Sequence, residues 1–279
     1  MGQQLTGIDA TITSWGSSGD DCYHIVNTGA APHKISIKIA GQPIDITAAG
    51  DTASKFRNGL TSWTGTVSAY VPKTTRKIGI SGLVTFASGY VLHCDKWDMT
   101  CDFGALDITE LTGAATQKWR SFRPMKIGKL SGSFGGNIDS GTALSPPVDW
   151  TGSSAAATFK VSEEGATDNT LGCNIVAHSL DTDADIGQDS LQKYVYSYSV
   201  DGAVTVAGSA NFLPSGTMAT PAWDNDTDGV PDRSLVVTLA SGRTMTGAAY
   251  LKGWTIKVAA GEIISLDYSI QGAGELTLA

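Results

Sequence analysis

The residues best placed to do chemistry stand in two acidic strings. Asp224-Asn225-Asp226-Thr227-Asp228-Gly229-Val230-Pro231-Asp232 reads D-x-D-x-D-G-x-x-D. Alternate carboxylates in such a string converge on one hard cation, and Gly229 permits the sharp turn that wraps them around it. Asp224, Asp226, Asp228 and Asp232 are therefore the candidate calcium ligands. The bidentate Glu of an EF-hand loop is absent, because the twelfth position is Leu235. Asp181-Thr182-Asp183-Ala184-Asp185 with Asp189 is a looser version, with Ile186 where the glycine would stand. Both strings also suit plain solvated loops, and no cofactor is required by either.

Other chemistry is sparse. His24, His33, His93 and His178 fall in no spaced metal pattern, and no G-x-S-x-G elbow, phosphate loop or dinucleotide glycine motif occurs. His178-Ser179-Leu180-Asp181 holds the residue types of a hydrolytic triad, but a triad is assembled in space rather than along the chain. No catalytic residue is assigned, and the chain is not expected to be an enzyme. Cys22, Cys94, Cys101 and Cys173 lack C-x-x-C spacing, which argues against structural zinc. Cys94 and Cys101 lie an odd distance apart in a run that reads as one extended strand, so they face opposite sides and do not pair. The start, MGQQLTG, has neither the basic region nor the apolar core of a secretory signal, so free thiols in a reducing compartment are expected.

The elements that must position these residues are strands. Ile35, Ile37 and Ile39 alternate with Lys34, Ser36 and Lys38. Trp63, Val67, Ala69 and Val71 oppose Thr64, Thr66, Ser68 and Tyr70. Trp97, Met99, Cys101 and Phe103 oppose Lys96, Asp98, Thr100 and Asp102. Tyr194, Tyr196 and Tyr198 oppose Val195, Ser197 and Ser199. Ile264, Leu266, Tyr268 and Ile270 oppose Ser265, Asp267, Ser269 and Gln271. A period of two means antiparallel strands with one dry and one wet face. On this pattern Trp63, Trp97 and Trp254 belong to the core and not to a sugar-binding platform. Two short helices are expected, one over Asp51–Arg57 closed by Gly59 and one over 188–193. Loops are expected over 139–158 and 207–234, where prolines cluster.

Composition narrows the function classes. The 279 residues are 41% hydrophobic, so a core can form and disorder is not expected. Acidic residues outnumber basic ones by 27 to 19, for a net charge of −8, which excludes a protein that holds nucleic acid by charge attraction. No run of 18 apolar residues suggests a membrane helix.

The chain also echoes itself. Asp45-Ile46-Thr47, Lys55-Phe56-Arg57 and Trp63-Thr64-Gly65-Thr66-Val67-Ser68 are matched by Asp107-Ile108-Thr109, Lys118-Trp119-Arg120 and Leu130-Ser131-Gly132-Ser133-Phe134-Gly135. Tyr198-Ser199-Val200-Asp201-Gly202-Ala203 is matched by Tyr268-Ser269-Ile270-Gln271-Gly272-Ala273, with Gly172-Cys173 and Gly247-Ala248 upstream. The order is front, front, back, back, which suggests duplication of one β module.

Ile44-Asp45-Ile46-Thr47-Ala48-Ala49-Gly50-Asp51, followed by Lys55-Phe56-Arg57-Asn58-Gly59-Leu60 and Trp63-Thr64-Gly65, resembles the signature segment of tailed-bacteriophage major tail (tail tube) proteins. The ending Tyr268-Ser269-Ile270-Gln271-Gly272-Ala273-Gly274-Glu275-Leu276 is similar to the last strand of that family. The doubled layout resembles its duplicated members. The resemblance implies an all-β fold of β-sandwich or barrel modules, two per chain, whose strands continue into neighbouring subunits. A nested pairing would join 1–92 with 207–279 as an outer module around an inner one, 93–206; an interleaved pairing is equally open. It further implies a structural virion protein that self-assembles into stacked rings. Each ring would be a trimer with pseudo-sixfold symmetry, contacting other tail proteins. DNA would pass through the tube without being bound, and no membrane is involved. The competing expectation is a secreted calcium-dependent adhesin or carbohydrate-binding β-sandwich.

Overall fold

A computed structural model describes residues 11–16, 31–49, 51–70, 82–86, 91–109, 119–125, 128–137, 153–164, 167–183, 193–207, 231, 233–239 and 242–279. These residues are all-β and include no helix. Wherever polar and apolar residues alternate, a strand forms. The front of the chain carries β1 (Thr11–Trp15), β2 (Ala31–Asp45) and β3 (Phe56–Tyr70). Next come β4 (Gly82–Phe86), β5 (Val91–Cys94), β6 (Lys96–Asp102), β7 (Leu106–Asp107), β8 (Phe122–Arg123) and β9 (Lys129–Asn137). The rear carries β10 (Ala155–Glu164), β11 (Thr167–Asp183), β12 (Lys193–Ala207), β13 (Ser234–Thr238), β14 (Thr244–Ala259) and β15 (Ser265–Leu278).

Thirteen of these strands make one antiparallel sheet, ordered β2-β3-β15-β14-β6-β9-β12-β11-β10-β4-β5, with β13 and then β1 attached to β14. The small pair β7–β8 stands apart. The chain thus places two like sets of four strands side by side. In the first set β2 pairs β3, β3 pairs β15, and β15 pairs β14. In the second, β6 pairs β9, β9 pairs β12, and β12 pairs β11. The join between the sets is β14 against β6.

The likeness extends to register. Gly65 faces Ile37 on one side and Ile270 on the other, as Gly132 faces Met99 and Tyr198. Val67 faces Ile35 and Tyr268, as Phe134 faces Trp97 and Tyr196. Both back hairpins carry two register shifts, at Gly172/Asn174 and Ala177/Ser179 in one and at Gly247/Ala249 and Leu251/Gly253 in the other. Each second strand then turns through a left-handed glycine, Gly202 (φ 91°) or Gly274 (φ 97°), a conformation that a side chain would strain. Register fixes the sequence alignment more finely than the echo did: Tyr268 corresponds to Tyr196, not Tyr198.

The hairpin tips repeat as well, down to single hydrogen bonds. Thr47 N–H donates to the Asp45 carboxylate at 2.8 Å, and Thr109 N–H donates to Asp107 at 2.9 Å. Ile46 N–H donates to Lys55 O, as Ile108 N–H does to Ser121 O. The Thr47 and Thr109 hydroxyls accept from the N–H of Lys55 and Ser121, each at 2.9 Å. Asp45 then faces Phe56 as Asp107 faces Phe122. The counterpart of Phe56-Arg57 is therefore Phe122-Arg123, and the match to Lys118-Trp119-Arg120 is corrected. Trp119 and Arg120 instead cross to the other set of strands, where Arg120 N–H donates to Thr61 O and Arg120 O accepts from Gly274 N–H.

These bonds also explain why the expected helix over Asp51–Arg57 is absent. Thr47 and Lys55 are pinned together, so the residues between them must reverse the chain. The Asp51 carboxylate accepts from the upstream Ala48 N–H at 2.8 Å in place of capping a downstream turn. Residues 51–55 form a loop, and Phe56 and Arg57 already belong to β3. In the second expected helix, residues 188–192 lie outside the described residues and Lys193 opens β12.

The sheet curls so that its outlying strands cover its own apolar face. Phe159 of β10 lies 5.4 Å from Trp97, 6.2 Å from Phe134 and 5.2 Å from Tyr198, ring centre to ring centre. The Trp97 indole donates to Lys160 O at 3.1 Å. On the other set, Trp15 of β1 is buried with its indole directed at Ala249 O. Trp63, Trp97 and Trp254 are all buried, as the alternation requires.

Candidate functional site

The feature large enough to define a function is the polar face of the eight-strand run from β2 to β11. Period two sends Thr64, Thr66 and Ser68 to this face and Trp63, Val67 and Ala69 to the core. Cross-strand hydrogen bonds tie the face together. Ser68 donates to Asp267 at 2.6 Å, Ser133 donates to Asp98, and the Thr100 and Thr255 hydroxyls lie 3.0 Å apart. Such pairs fix neighbouring strands relative to each other.

Charges of both signs stand on this face. Lys34, Lys38, Lys96 and Lys257 are exposed on it, among Asp98, Asp102, Asp181 and Asp267. Lys257 stands directly opposite Asp98 in the β14–β6 ladder. Gln271 departs from its expected wet position. It is buried, and its amide donates to Trp63 O and Gly272 O at 3.3 and 3.2 Å.

The small chemical motifs disperse. His178 Nε2 lies 2.6 Å from the Ser199 hydroxyl on β12, not with Ser179 and Asp181. Asp224, Asp226, Asp228 and Asp232 lie outside the described residues, as do Asp185 and Asp189. Asp181 belongs to β11, so that end of the looser acidic string is strand and not loop. Among the described residues no group of three or more His, Cys, Asp or Glu is arranged to hold a metal. A depression of about 240 Å³ at the strand ends is lined by Asp95, Lys96, Lys193 and neighbouring backbone.

Cys94, Cys101 and Cys173 are buried, and Cys22 lies outside the described residues. The extended run expected across Cys94 and Cys101 breaks at Asp95, so the two stand on separate strands and both point inward. Burial pushes each of the three thiols up to about 12. They are packing groups, not nucleophiles.

Two apolar tips project beyond the wall. The β2–β3 hairpin exposes Ile44, Ile46 and Phe56, with Phe56 at 61%. The β7–β8 pair exposes Leu106 at the matching position. The carboxyls beneath them, Asp45 and Asp107, are held below the usual range, first by the Thr47 and Thr109 hydroxyls and then by the backbone N–H groups of the same residues. The phenylalanine-arginine pair at Phe122-Arg123 was the missed signal; it stands in the sequence as a second Phe-Arg beside an Asp-Ile-Thr.

No protein-family model matches the chain, and no curated protein matches it. No helix of the described residues is long and apolar enough to cross a membrane.

Proposed function

We propose that the chain is a tail tube subunit of a tailed bacteriophage, which assembles into stacked rings around a DNA-conducting channel. One observation carries the reading: two like four-strand sets are laid edge to edge in a single sheet with one polar face. A chain that repeats one unit sideways is already a segment of a cyclic array, and a ring completes it. Closure removes the sheet edges that would otherwise recruit other chains. The doubling supports a trimer with pseudo-sixfold symmetry, and the strand pairing supports the nested grouping of front and back halves. The pairing of β4 with β10 supports assigning residues 82–92 to the inner module as well.

A lumen built from the polar face would offer a duplex serine and threonine hydroxyls with charges of both signs among them. Phosphate would meet lysine and aspartate in alternation, so no site along the wall would hold it. The exposed tips at Phe56 and Leu106 suit contacts with the next ring or with other tail proteins. On this reading the protein is a structural component of the virion and needs neither catalysis nor a cofactor. Negative-stain microscopy of the concentrated protein tests it. Stacked rings or tubes about 10 nm wide are expected, given strand spacing and a duplex-wide lumen. Uniform monomers at every concentration, with calcium-dependent melting, would instead point to a binding module.

A further inference from the structure

The join inside the chain is a template for a join between chains. β14 and β6 pair with Trp254 opposite Cys101, Thr255 opposite Thr100, and Ile256 opposite Met99. Each residue has a counterpart in the other set. Thr255 faces Asp267 across β15 as Asp181 faces Val195 across β12, and Trp254 faces Tyr268 as Leu180 faces Tyr196. Met99 faces Gly132 as Ile37 faces Gly65, which makes Thr100 the counterpart of Lys38 and Cys101 that of Ile39. The counterpart of β14 is thus β11, and the counterpart of β6 is β2.

Those counterparts are the strands left open. Among the described residues β2 ends the sheet at one side. At the other, β10 covers β11 only as far as Ile175, and among the described residues no strand lies beyond Val176–Asp183. The β2 side shows what is missing. Met99 and Cys101 are fully buried in β6, whereas Ile37 is only half-buried and Ile39 is 49% exposed.

We infer that β2 of one copy pairs antiparallel with the second half of β11 in the next copy, in the register of β14 against β6. Leu180 then lies opposite Ile39, Asp181 opposite Lys38, and Thr182 opposite Ile37. Leu180 covers the exposed isoleucine. Lys38 and Asp181, both exposed in the single chain, become a cross-strand ion pair where the internal join has the Thr100–Thr255 hydroxyl pair. The contact joins unlike edges, so it propagates in one direction, and a rotation that closes makes it a ring. The acidic string at Asp181 and Asp183 is then an interface edge in place of a cation loop. The inference rests on the ring reading and adds the strands, the register and the charge pair.

The test uses full-length protein with Cys22→Ser to limit background oxidation. Ile39→Cys and Leu180→Cys in one chain should give, on mild oxidation, disulfide-linked multimers that end at the ring size. Ile37→Cys with Leu180→Cys, one step of two residues out of register, should link at least about tenfold less, because paired Cβ atoms must approach within about 4.5 Å. Lys38→Asp should raise the concentration needed for assembly at least about tenfold. Combining it with Asp181→Lys should restore the wild-type value, and unchanged melting curves show that each variant folds. If rings form but only the shifted cysteine pair links, or the double charge swap restores nothing, the register is wrong while the ring stands. If the wild-type chain forms no rings at any concentration, the ring reading fails and the interface falls with it.

Discussion

The two four-strand sets share a backbone and differ in what fills it. In β6, β9, β12 and β11 the filling is aromatic: Trp97, Phe134, Tyr194, Tyr196 and Tyr198 each have their ring centre within about 6 Å of another aromatic ring, Phe159 of β10 in the case of Trp97. In β2, β3, β15 and β14 the same places hold Ile35, Val67, Leu266, Tyr268 and Ile270, with Trp63 and Trp254 at the ends. Register, the paired bulges of the back hairpins, the left-handed glycines and the tip hydrogen bonds are nevertheless the same. Shape is set here by main-chain pairing and by where a side chain is excluded, and the core volume is then filled in more than one way. The second difference is position. β6 is central and dry where β2 is peripheral and half wet, so one strand design serves as interior or as edge according to its neighbours.

The sharpest way to break the comparison is at the paired glycines. A Cβ added at Gly132 would sit 2.1 Å from Asp98 O and 2.6 Å from the Tyr198 hydroxyl. A Cβ at Gly65 would meet nothing closer than 3.4 Å, at Ile270. Gly132→Ala should therefore cost about 3 kcal/mol or more in urea unfolding, and Gly65→Ala less than about 1 kcal/mol. Equal losses would show that the two sets are not packed as described. Next in size is Tyr198→Phe, which removes the bond from the Tyr198 hydroxyl to Asp98 O at 2.9 Å. A loss of about 1 kcal/mol is expected, while Ile270→Val on the other set should cost a similar amount through volume alone.

Alkaline pH should separate the sets further. Cys94, Cys101 and Cys173 all lie in or beside the aromatic set, and burial raises each from 9.0 to about 12. A raised folded value means the native state keeps protons that the unfolded chain gives up. Stability is thus fully present below about pH 9 and declines as pH climbs from 9 toward 12. The melting temperature should fall over that window, and Cys173→Val should flatten the fall. The same three thiols should resist alkylation in the native protein at pH 8 and react once it is unfolded, as peptide mapping would show. The smallest effect belongs to the tips. Asp45→Ala and Asp107→Ala should each lower the melting temperature slightly and by similar amounts, since both exposed carboxylates cap the same turn.

Strand existence and facing were legible because period two is a local property: the side of Trp63, Trp97, Trp254 and the Tyr194–Tyr198 row follows from their immediate neighbours. The duplication was legible for a similar reason, through Asp-Ile-Thr and the glycine pairs. Its alignment was not. Lys118-Trp119-Arg120 looks more like Lys55-Phe56-Arg57 than Ser121-Phe122-Arg123 does, and only the Thr109–Ser121 hydrogen bond decides between them. The helix over Asp51–Arg57 was a fair reading of local propensity, overridden by bonds that close the hairpin from outside the segment. Pairings such as β3 with β15 leave no local trace, because nothing near Val67 specifies a partner as distant as Tyr268. The polar face emerged only after those pairings set Lys257 against Asp98.

The nesting of the chain also governs the order in which it can fold as it is made. β2 and β3 emerge early, yet β15, which covers one edge of β3, emerges about two hundred residues later. At typical synthesis rates of about 5–20 residues per second, that interval is roughly 10–40 s. Through this time the front hairpin holds Ile35, Ile37, Trp63 and Val67 without their final cover. The inner set can meanwhile complete itself from residues already released. The strand that covers the open edge of β3 is thus made long after it, and the front hairpin stays open to misassembly until β15 has been released.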